Sequence, residues 1–387
     1  MEKQIFNICL LCCLTIITSC NKTKPEDATD YEYTITLADT LDVPSWDKMV
    51  DSVCYIPLKI EDNALMGEIE QFVVKDELIY LLANGIYCFD MSGKCKFKIA
   101  NRGRARNEFI DPISFSVSDG NVYLYDKMKH KVMIYDALTG KYIEDVDIPI
   151  GGRRVYFLGD TFIFDDAQTD VKKYTRFKTY SKNKPDRVQD GYFSNKEFMG
   201  SIAGTCLWSN DGVIYSSYLR NLAWKINGNE CIPYIKVIVP EKNRLSDKTI
   251  NRMITDNTIY DSGYNTENAI YGLSYLSECD GFISGQLSYD QSFVFFIYDK
   301  ETGNSKFFKM YSDPEAWKFF PIGRGSTGDG NCLYSVVTAN DAVLTKKILG
   351  GTGNEPADER FRQAYDVIDS TEKDDNPIIA RFWLSRI

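Results

Sequence analysis

Two short glycine-containing segments carry arginines that could bind an anion. They read NRGRARNEFIDP at 101–112 and GGRR at 151–154. The five arginines are Arg102, Arg104, Arg106, Arg153 and Arg154. Guanidinium groups bind carboxylate, sulfate or phosphate through paired hydrogen bonds. The first three alternate along the chain, so in an extended segment their side chains point the same way. The alternative is pairing with neighbouring acids, because Asp and Glu number 55 against 45 Lys and Arg.

Side chains for nucleophilic catalysis are scarce. The only histidine, His130, stands in a strand-like run, KHKVMIYD, which favours a surface or edge position. Catalytic Ser-His-Asp and Cys-His arrangements need a positioned imidazole. Zinc sites use several histidine or cysteine ligands. The sequence therefore predicts no catalytic residue and no imidazole-based metal site.

An all-oxygen metal site is the other route to chemistry. Acidic residues stand before several apolar runs, at Asp119, Asp160, Asp211, Asp280 and Asp329. At such positions Asp serves the backbone of a turn, and no calcium-loop spacing of the EF-hand type is present. We therefore predict no cofactor, with calcium as the alternative.

The N-terminus predicts export. The apolar run at 5–17 is too short for a bilayer-spanning helix, which needs about 20 residues, but it fits the hydrophobic part of a secretory signal. It ends in ITSC, which resembles the bacterial lipobox, where the cysteine is lipidated. We expect a signal peptide at 1–19, a lipid on Cys20 and a polar tether at 20–31. Acyl chains would hold the protein at a membrane.

Composition indicates a large, aromatic-rich β protein. The chain has 387 residues, of which 44% are hydrophobic, with 25 Tyr and 22 Phe. Aromatic residues suit the half-buried surface of a sheet. The net charge of −10 and the pI near 4.9 argue against nucleic-acid binding, which needs a basic surface.

Seven cysteines remain beyond the signal and Cys20. They are Cys54, Cys88, Cys95, Cys206, Cys231, Cys279 and Cys332. None forms a Cys-x-x-Cys pair, so a zinc framework is not indicated. Cys88 and Cys95 flank an expected hairpin turn and could pair. The favoured interpretation is that these residues are buried thiols that act as small hydrophobic side chains.

One pattern recurs six times and predicts the fold. An acidic or Asn/Gly turn leads into a short apolar strand at 76–81, 119–125, 159–164, 210–216, 280–284 and 329–335. The copies stand about 40–70 residues apart, which is the period of a propeller blade with insertions. Three copies lead into a second strand and a glycine-containing turn, namely MSGK, ALTGK and KETGN. We predict an all-β, six-bladed β-propeller over 32–387, with a β-sandwich as the alternative.

Short helices and a closing strand complete the predicted propeller. Ser246 could cap a helix that carries Ile250, Met253 and Ile254 on one face. A second helix is expected at about 357–370, with Phe361, Ala364, Tyr365 and Ile368 along one side. The last strand is expected at Ile378–Leu384. Since an unpaired edge is a liability, we expect Tyr33–Leu37 or Val53–Ile60 to pair with the C-terminal strand and close the ring.

The lipobox, the six copies and two short motifs together resemble a family. It is the six-bladed β-propeller lipoproteins of Gram-negative gut anaerobes, which are related in architecture to NHL-repeat propellers. Members carry a glycine-rich loop ending in Glu-Phe or Glu-Tyr, with a proline nearby. Gly103, Glu108, Phe109 and Pro112 match this pattern. Members also tend to end with Asn-Pro and an apolar strand, as at 376–379.

The resemblance implies a fold and a location rather than a reaction. Arg104 and Arg106 depart from it, because small residues are common at these positions. Gly103, Glu108, Phe109 and Pro112 are expected to fix the turn into the next strand. The implied location is the cell envelope, with a lipid anchor in the outer membrane.

Two functions follow from these observations. The first is a non-catalytic propeller, a monomer held at the membrane by its lipid, that binds a glycan, a peptide or an envelope protein. The alternative is a metal-dependent, lactonase-like hydrolase with oxygen ligands in the central channel. Asp, Glu or Asn oxygens converging on one point would favour the hydrolase.

Overall fold

The computed structural model of this protein consists of six β-sheets with three short α-helices in the part of the chain that it describes. That part comprises residues 29–37, 49–60, 65–165, 175–190, 192–193, 205–209, 212–227, 230–259, 263–264, 266–289, 292–309, 328, 332–350 and 359–387. The predicted signal peptide, Cys20 and most of the tether lie outside these residues.

Each sheet is one blade of a six-bladed β-propeller. Two strands precede the first blade: β1 (Tyr33–Thr36) and β2 (Val50–Pro57). Blade 1 is β3 (Gln71–Lys75), β4 (Leu78–Leu82), β5 (Ile86–Asp90) and β6 (Cys95–Ile99). Blade 2 is β7 (Pro112–Ser118), β8 (Asn121–Asp126), β9 (Lys131–Asp136) and β10 (Tyr142–Asp147). Blade 3 is β11 (Arg154–Leu158), β12 (Thr161–Asp165), β13 (Phe177–Ser181) and β14 (Lys184–Asp190).

The second half of the ring has the same order. Blade 4 is β15 (Thr205–Ser209), β16 (Gly212–Ser216), β17 (Leu222–Asn227) and β18 (Glu230–Ile238). Blade 5 is β19 (Ile270–Glu278), β20 (Phe282–Tyr289), β21 (Ser292–Asp299) and β22 (Ser305–Lys309). Blade 6 contains β23 (Cys332–Val337), β24 (Ile378–Leu384) and β2. First strands of neighbouring blades pack side by side, as β3 does with β7 and β7 with β11.

The repeated sequence pattern forms equivalent strands, which confirms the prediction of six blades. It gives the second strand of blades 1 to 5 and, in blade 6, β23. The predicted hairpin turns are also confirmed. Their glycines, Gly93, Gly140 and Gly303, have φ angles between 67° and 81°. The aspartate that ends the preceding strand accepts backbone N–H groups of each turn; these residues are Asp90, Asp136 and Asp299.

An N-terminal strand closes the ring, and it is β2. This strand pairs antiparallel with β24, from Val50 opposite Leu384 to Pro57 opposite Ile378. The other candidate, β1, instead pairs in parallel with β18 and becomes a fifth strand of blade 4. The prediction that the N-terminal and C-terminal strands pair is therefore confirmed, and the ambiguity between the two segments is resolved.

The described residues include three α-helices, which lie between strands of the propeller. Helix α1 (Asp247–Asp256) begins at Ser246, whose hydroxyl accepts the N–H of Thr249 at 3.2 Å, as predicted. Helix α3 (Arg362–Ser370) confirms the second prediction, with a 3₁₀ turn before it. Helix α2 (Ala339–Gly350) was not predicted. None of the helices in the described ranges is long and apolar enough to cross a bilayer.

Connections from strand two to strand three and from blade to blade lie at one end of the antiparallel strands. We call this end the upper face. It carries the arginine loop (101–111) between β6 and β7, helix α1 between β18 and β19, and helices α2 and α3 between β23 and β24.

Aromatic side chains fill the spaces between blades. The ring of Tyr123 in blade 2 stacks on Phe157 in blade 3, with centroids 3.6 Å apart. The hydroxyl of buried Tyr80 in blade 1 donates to the carbonyl of Ala137 in blade 2 at 3.0 Å. Among the described residues, Tyr and Phe side chains therefore pack neighbouring sheets against each other.

All seven cysteines in the described residues are free thiols. Cys88 and Cys95 do not pair, because their side chains lie on opposite faces of blade 1. Cys88 packs into the core shared with blade 2, whereas Cys95 packs against the core shared with blade 6. Burial raises the pKa of the Cys88 thiol to about 12.

Candidate functional site

The arginine loop is a closed turn rather than an extended arm. The N–H of Gly103 donates to the carbonyl of Phe109 at 2.9 Å, and the N–H of Phe109 donates to Asn101 at 2.9 Å. Between these bonds the chain turns, with Glu108 N–H donating to Ala105 at 3.2 Å. The segment is therefore not extended, and the condition under which the three alternating arginines would point the same way is not met.

Two side chains hold this loop in shape. The carboxylate of Glu108 accepts the N–H of Ala105 at 2.9 Å. The ammonium of Lys129, from the turn between β8 and β9, donates to the carbonyls of Ala105 (2.7 Å) and Glu108. Gly103 has a φ of 155°, and a Cβ atom there would collide with the Glu108 carboxylate.

The other two residues predicted to shape the loop lie below it. Phe109 is fully buried in the core shared by blades 1 and 2. Pro112 is buried at the first position of β7, opposite Asp126. The buried Asp126 carboxylate accepts the N–H of Ile110 at 2.6 Å and of Met128 at 3.0 Å, so it joins the loop to the next turn.

The loop arginines are exposed. The Arg102 guanidinium lies over the Phe109 ring, 5.9 Å from its centroid. Arg106 lies 4.0 Å from a carboxylate oxygen of Asp145, with its side chain 76% exposed. Arg104 forms no ion pair with any residue that the structure describes. Pairing of the arginines with neighbouring acids was the alternative considered from the sequence. Among the described residues, Arg106 is the one loop arginine that makes such a contact.

The other two arginines do not join this loop. Arg153 is exposed, and its N–H donates to the carbonyl of Asp165 at 2.8 Å. Arg154 opens β11 and points into a cavity that none of the loop arginines lines. The predicted basic rim is therefore divided between the upper face and the centre of the ring.

The cavity lies among the first strands of four blades and has a volume of about 500 Å³. Its lining includes Glu68, Glu70, Gln71, Arg154, Cys206 and Tyr275. The amide of Gln71 also binds the main chain of Phe115 in blade 2, donating to its carbonyl at 2.7 Å and accepting its N–H at 3.1 Å. The cavity thus combines charged, amide, thiol and aromatic groups.

Arg154 is a permanent cation in this cavity. Tyr156, followed by Cys206 and Asp165, raises the pKa of Arg154 above its ordinary value despite desolvation. Asp165 itself is buried against Arg176, with Nε and Oδ1 2.6 Å apart. Burial raises the pKa of the Cys206 thiol to about 12, so this thiol stays protonated at neutral pH and is a poor nucleophile.

Tyr275 is presented to the cavity by an irregular strand. The pairing of β19 with β20 shifts register on both sides of Ser274. Within this strand Gly272 has φ 75° and Tyr275 has φ 47°. The Tyr275 side chain is 40% exposed, whereas its neighbours in β19 are buried or half-buried. Bulges commonly redirect a side chain in this way.

In the described part of the chain, two of the acidic turn residues have local structural roles rather than a shared site. Asp160 accepts hydrogen bonds from Asn183 at 3.0 Å and Ser181 at 3.2 Å, and Asp119 has a turn conformation with φ 48°. Asp211 and Asp329 lie outside the described residues. Among the residues that are described, no group of three or more His, Cys, Asp or Glu side chains could hold a metal ion.

His130 is exposed, but not in a strand. It occupies the last position of the turn before β9, with φ 52°. The strand-like pattern of KHKVMIYD begins in fact at Lys131. Periodicity alone suggested an extended conformation at this position, whereas His130 adopts a positive φ in a tight hairpin turn.

Most cavity residues were missed by the sequence interpretation. Glu68, Glu70, Gln71 and Tyr275 lie on or beside first strands, whereas the repeated pattern marks second strands. The sequence did offer a signal for them: the strand before each repeated copy is the first strand of its blade, and first strands surround the axis of a propeller. The glycine inside IYGLSYLSE was a second signal, since glycine within a strand often marks a bulge.

Comparison with solved structures confirms the propeller fold. An exported protein of Bacteroides fragilis superposes with a TM-score of 0.72 at 16% identity, covering 91% of this chain and 100% of that chain. A member of the DUF4221 family from Bacteroides vulgatus has a TM-score of 0.48 at 8% identity, covering 87% and 98%. An extracellular domain of a one-component system from B. thetaiotaomicron has a TM-score of 0.36 at 13% identity, covering 66% and 29%. The first likeness shows the fold alone, and the other two are too distant to support an argument.

A sequence family covers nearly the whole propeller. A search of curated proteins finds none that matches this chain. Residues 32–382 match the model of a family described as a domain of unknown function, DUF4934. This protein therefore belongs to the DUF4934 family, and its described part is arranged as a six-bladed β-propeller.

Proposed function

We propose that this protein is a lipid-anchored, non-catalytic binding module of the cell envelope, with its ligand site in the central cavity. Its ligand is a glycan, a peptide or a segment of an envelope protein. The lipobox-like ITSC at 17–20 supports the anchor. The description of the similar B. fragilis protein as exported agrees with a location outside the cytoplasm.

The cavity is the observation that carries this proposal. Its volume of about 500 Å³ falls within the usual range for small-ligand sites. Arg154 and Tyr275 offer a guanidinium fork and an exposed ring, both held by strands rather than by loops. These groups suit recognition, and the one thiol in the lining stays protonated at neutral pH.

A binding screen tests the proposal. The mature chain carrying Cys20→Ser, which cannot be lipidated, would be screened by calorimetry against glycans, short peptides and fractionated envelope extracts. We expect binding that Arg154→Gln or Tyr275→Ala weakens. Binding that neither substitution weakens would exclude the cavity as the ligand site. Metal-dependent hydrolysis of a lactone would overturn the proposal and favour the hydrolase.

The anchor requires its own experiment. Cells that express the full chain would be labelled with radioactive palmitate, and membranes would be separated from soluble fractions. We expect the label on the wild-type protein and none on Cys20→Ser, which should leave the membrane fraction. Membrane association unchanged in Cys20→Ser would contradict lipid anchoring.

A further inference from the structure

We propose that the upper face of blade 2 is a docking surface for a segment of a second envelope protein that carries both acidic and apolar side chains. The surface consists of the arginine loop (101–111) and the turn at 127–130 between β8 and β9, and we call it the cationic patch. None of its residues lines the central cavity, so it is a second site beyond the one proposed above.

Backbone contacts join the two segments of the cationic patch into one surface. The carboxylate of Asp126 accepts the N–H of Ile110 at 2.6 Å and the N–H of Met128 at 3.0 Å. The N–H of Lys127 donates to the carbonyl of Asp111 at 3.0 Å. A surface that is already held in shape loses little conformational freedom when a partner binds.

The cationic patch presents positive charge on an acidic protein. Four of its cationic side chains are exposed, namely Arg102, Arg104, Arg106 and Lys127, whereas the whole chain has a net charge of −10. Within the described ranges, Arg104 and Lys127 form no ion pair. The carboxylate of Glu108 is turned onto the N–H of Ala105 and is thereby engaged within the loop. The charge of the patch is therefore complementary to an acidic partner.

Two neighbouring apolar side chains narrow the chemistry of the partner. Met128 is 63% exposed and Ile110 is 38% exposed, and their N–H groups bind the same carboxylate. A single exposed apolar side chain is ordinary, but Met and Arg are both enriched in protein interfaces. A polyanion without apolar groups would leave Met128 and Ile110 in water. The patch therefore suits a protein segment in which acidic and apolar side chains alternate.

The direction of β1 favours a protein partner over the membrane. This strand runs parallel to β18, which ends at the upper face, so β1 begins toward the opposite end of blade 4. The N–H of Glu32 continues the pairing by donating to the carbonyl of Pro233 at 3.4 Å. If Cys20 carries the lipid proposed above, the anchored chain enters the ring from the side opposite the cationic patch. The patch then faces away from the anchoring membrane.

Three peptides with blocked ends test the chemistry of the partner. The first is Asp-Leu-Glu-Asp-Leu-Glu, the second has serine in place of leucine, and the third has amides in place of the acids. Fluorescence anisotropy of the labelled peptides would report binding to the mature chain carrying Cys20→Ser. We expect the first peptide to bind and the other two to bind at least about fivefold more weakly. Added salt should weaken binding of the first, because exposed charges are screened.

Paired variants at the two ends of blade 2 locate the contact. Arg104→Ala combined with Met128→Ser should weaken binding of the first peptide at least about tenfold. Lys141→Ala combined with Leu138→Ser is the matched control and should bind as the wild type does. Lys141 and Leu138 are also an exposed cation and an exposed apolar residue, but they lie in the turn between β9 and β10 at the lower end of the blade. Each variant must show the thermal unfolding of the parent.

Other outcomes would overturn the proposal. Binding of none of the peptides, or equal binding of the first and the serine peptide, would exclude a mixed acidic and apolar segment. Vesicles containing phosphatidylglycerol that bind the Cys20→Ser chain, but not its Arg104 and Met128 variant, would assign the patch to the membrane. Self-association that the same variant abolishes in sedimentation would assign it to a second copy of the chain. Because all these measurements use the unlipidated chain, failure of the proposed anchor or cavity site would be seen separately.

Discussion

The side-chain amide of Gln363 forms two hydrogen bonds with the backbone of Tyr55, as a neighbouring β-strand would. The N–H of Tyr55 donates to Oε1 of Gln363 at 2.7 Å, and Nε2 of Gln363 donates to the carbonyl of Tyr55 at 2.7 Å. Tyr55 lies on β2, the outer strand of blade 6, where an unpaired edge would invite association with another chain. Gln71 makes the same two bonds to Phe115 between blades 1 and 2.

Replacing Gln363 should weaken the closure of the ring. Gln363→Ala removes two hydrogen bonds to β2, and we expect a loss of about 1–2 kcal/mol in the free energy of unfolding. Urea denaturation followed by fluorescence measures it. Asp366→Ala, an exposed position in the same helix, is the control and should change stability by less than about 0.5 kcal/mol. Equal stability of the two variants would show that the glutamine does not protect this edge.

The effects of substitutions at Gly103 and Glu108 on stability should be coupled. Gly103→Ala places a methyl group against the Glu108 carboxylate in a backbone conformation that favours glycine. We expect a loss of about 1–3 kcal/mol, the usual range for local strain. In a Glu108→Ala background the collision is gone, so the same substitution should be less damaging.

A double-mutant cycle of thermal unfolding measures this coupling. Hydrogen exchange of the Ala105 and Phe109 amides reports whether the loop itself opens. If the two substitutions add without coupling, the carboxylate does not pack on Gly103 in solution.

The repeated pattern made the fold predictable. Alternating turn and strand signals report local conformation, and six similar copies imply six similar sheets. Ring closure was harder to predict, because β1 and β2 are both short strands in the N-terminal part of the chain. Their partners are far away in sequence, so only the folded chain distinguishes them. Helix α2 had a signal that was overlooked: Thr338 and Asp341 form a capping box, with Asp341 N–H donating to the Thr338 hydroxyl at 3.1 Å.

The candidate site was much less predictable. Arg154 looked like a member of a basic loop, because sequence proximity to Arg153 conceals that it begins a strand facing the axis. Tyr275 reads as an ordinary strand residue, and only the register shift in β19 reveals that its ring is exposed. The cavity combines residues from several blades, so no single segment of the sequence predicts it.

The loop arginines should be dispensable for folding. Arg104 and Arg106 are exposed, and their removal leaves the bonds of Glu108 and Lys129 intact. We expect Arg104→Ala combined with Arg106→Ala to change the free energy of unfolding by less than about 0.5 kcal/mol per site. Lys129→Ala, which removes bonds to two loop carbonyls, is the comparison and should destabilise the protein more. A large fall in Tm for the arginine variant would show instead that these residues are structural.

If an anionic partner also docks on the upper face, these arginines are where it should bind. The affinity for such a partner should fall in the double arginine variant and weaken with salt, because exposed charges are screened. Binding of a ligand in the central cavity should be unaffected. This contrast distinguishes a surface contact from the central site.

Asp299 should make the fold sensitive to acid. Burial by itself raises the pKa of this carboxyl, but N–H groups of Glu301 and Thr302 and the guanidinium of Arg386 outweigh burial and lower the pKa below its ordinary value. A lowered pKa in the folded state favours the ionised form there. Its contribution to stability is therefore present above the unfolded pKa of about 3.9 and is lost as the pH falls through the folded value.

Asp299→Asn tests this relationship. At pH 7 we expect a loss of about 1.5–3 kcal/mol, typical for hydrogen bonds to a buried charged group. Near pH 3 the difference from the wild type should shrink, because this pH lies below the unfolded pKa, so protonation of the unfolded chain removes part of the advantage of the ionised carboxyl in the fold. Urea denaturation at both pH values measures the two differences. Arg386→Gln, which removes the facing cation 2.9 Å away, should reduce the pH dependence in the same direction. A deficit in Asp299→Asn that is as large at pH 3 as at pH 7 would mean that the side chain acts by shape rather than by charge.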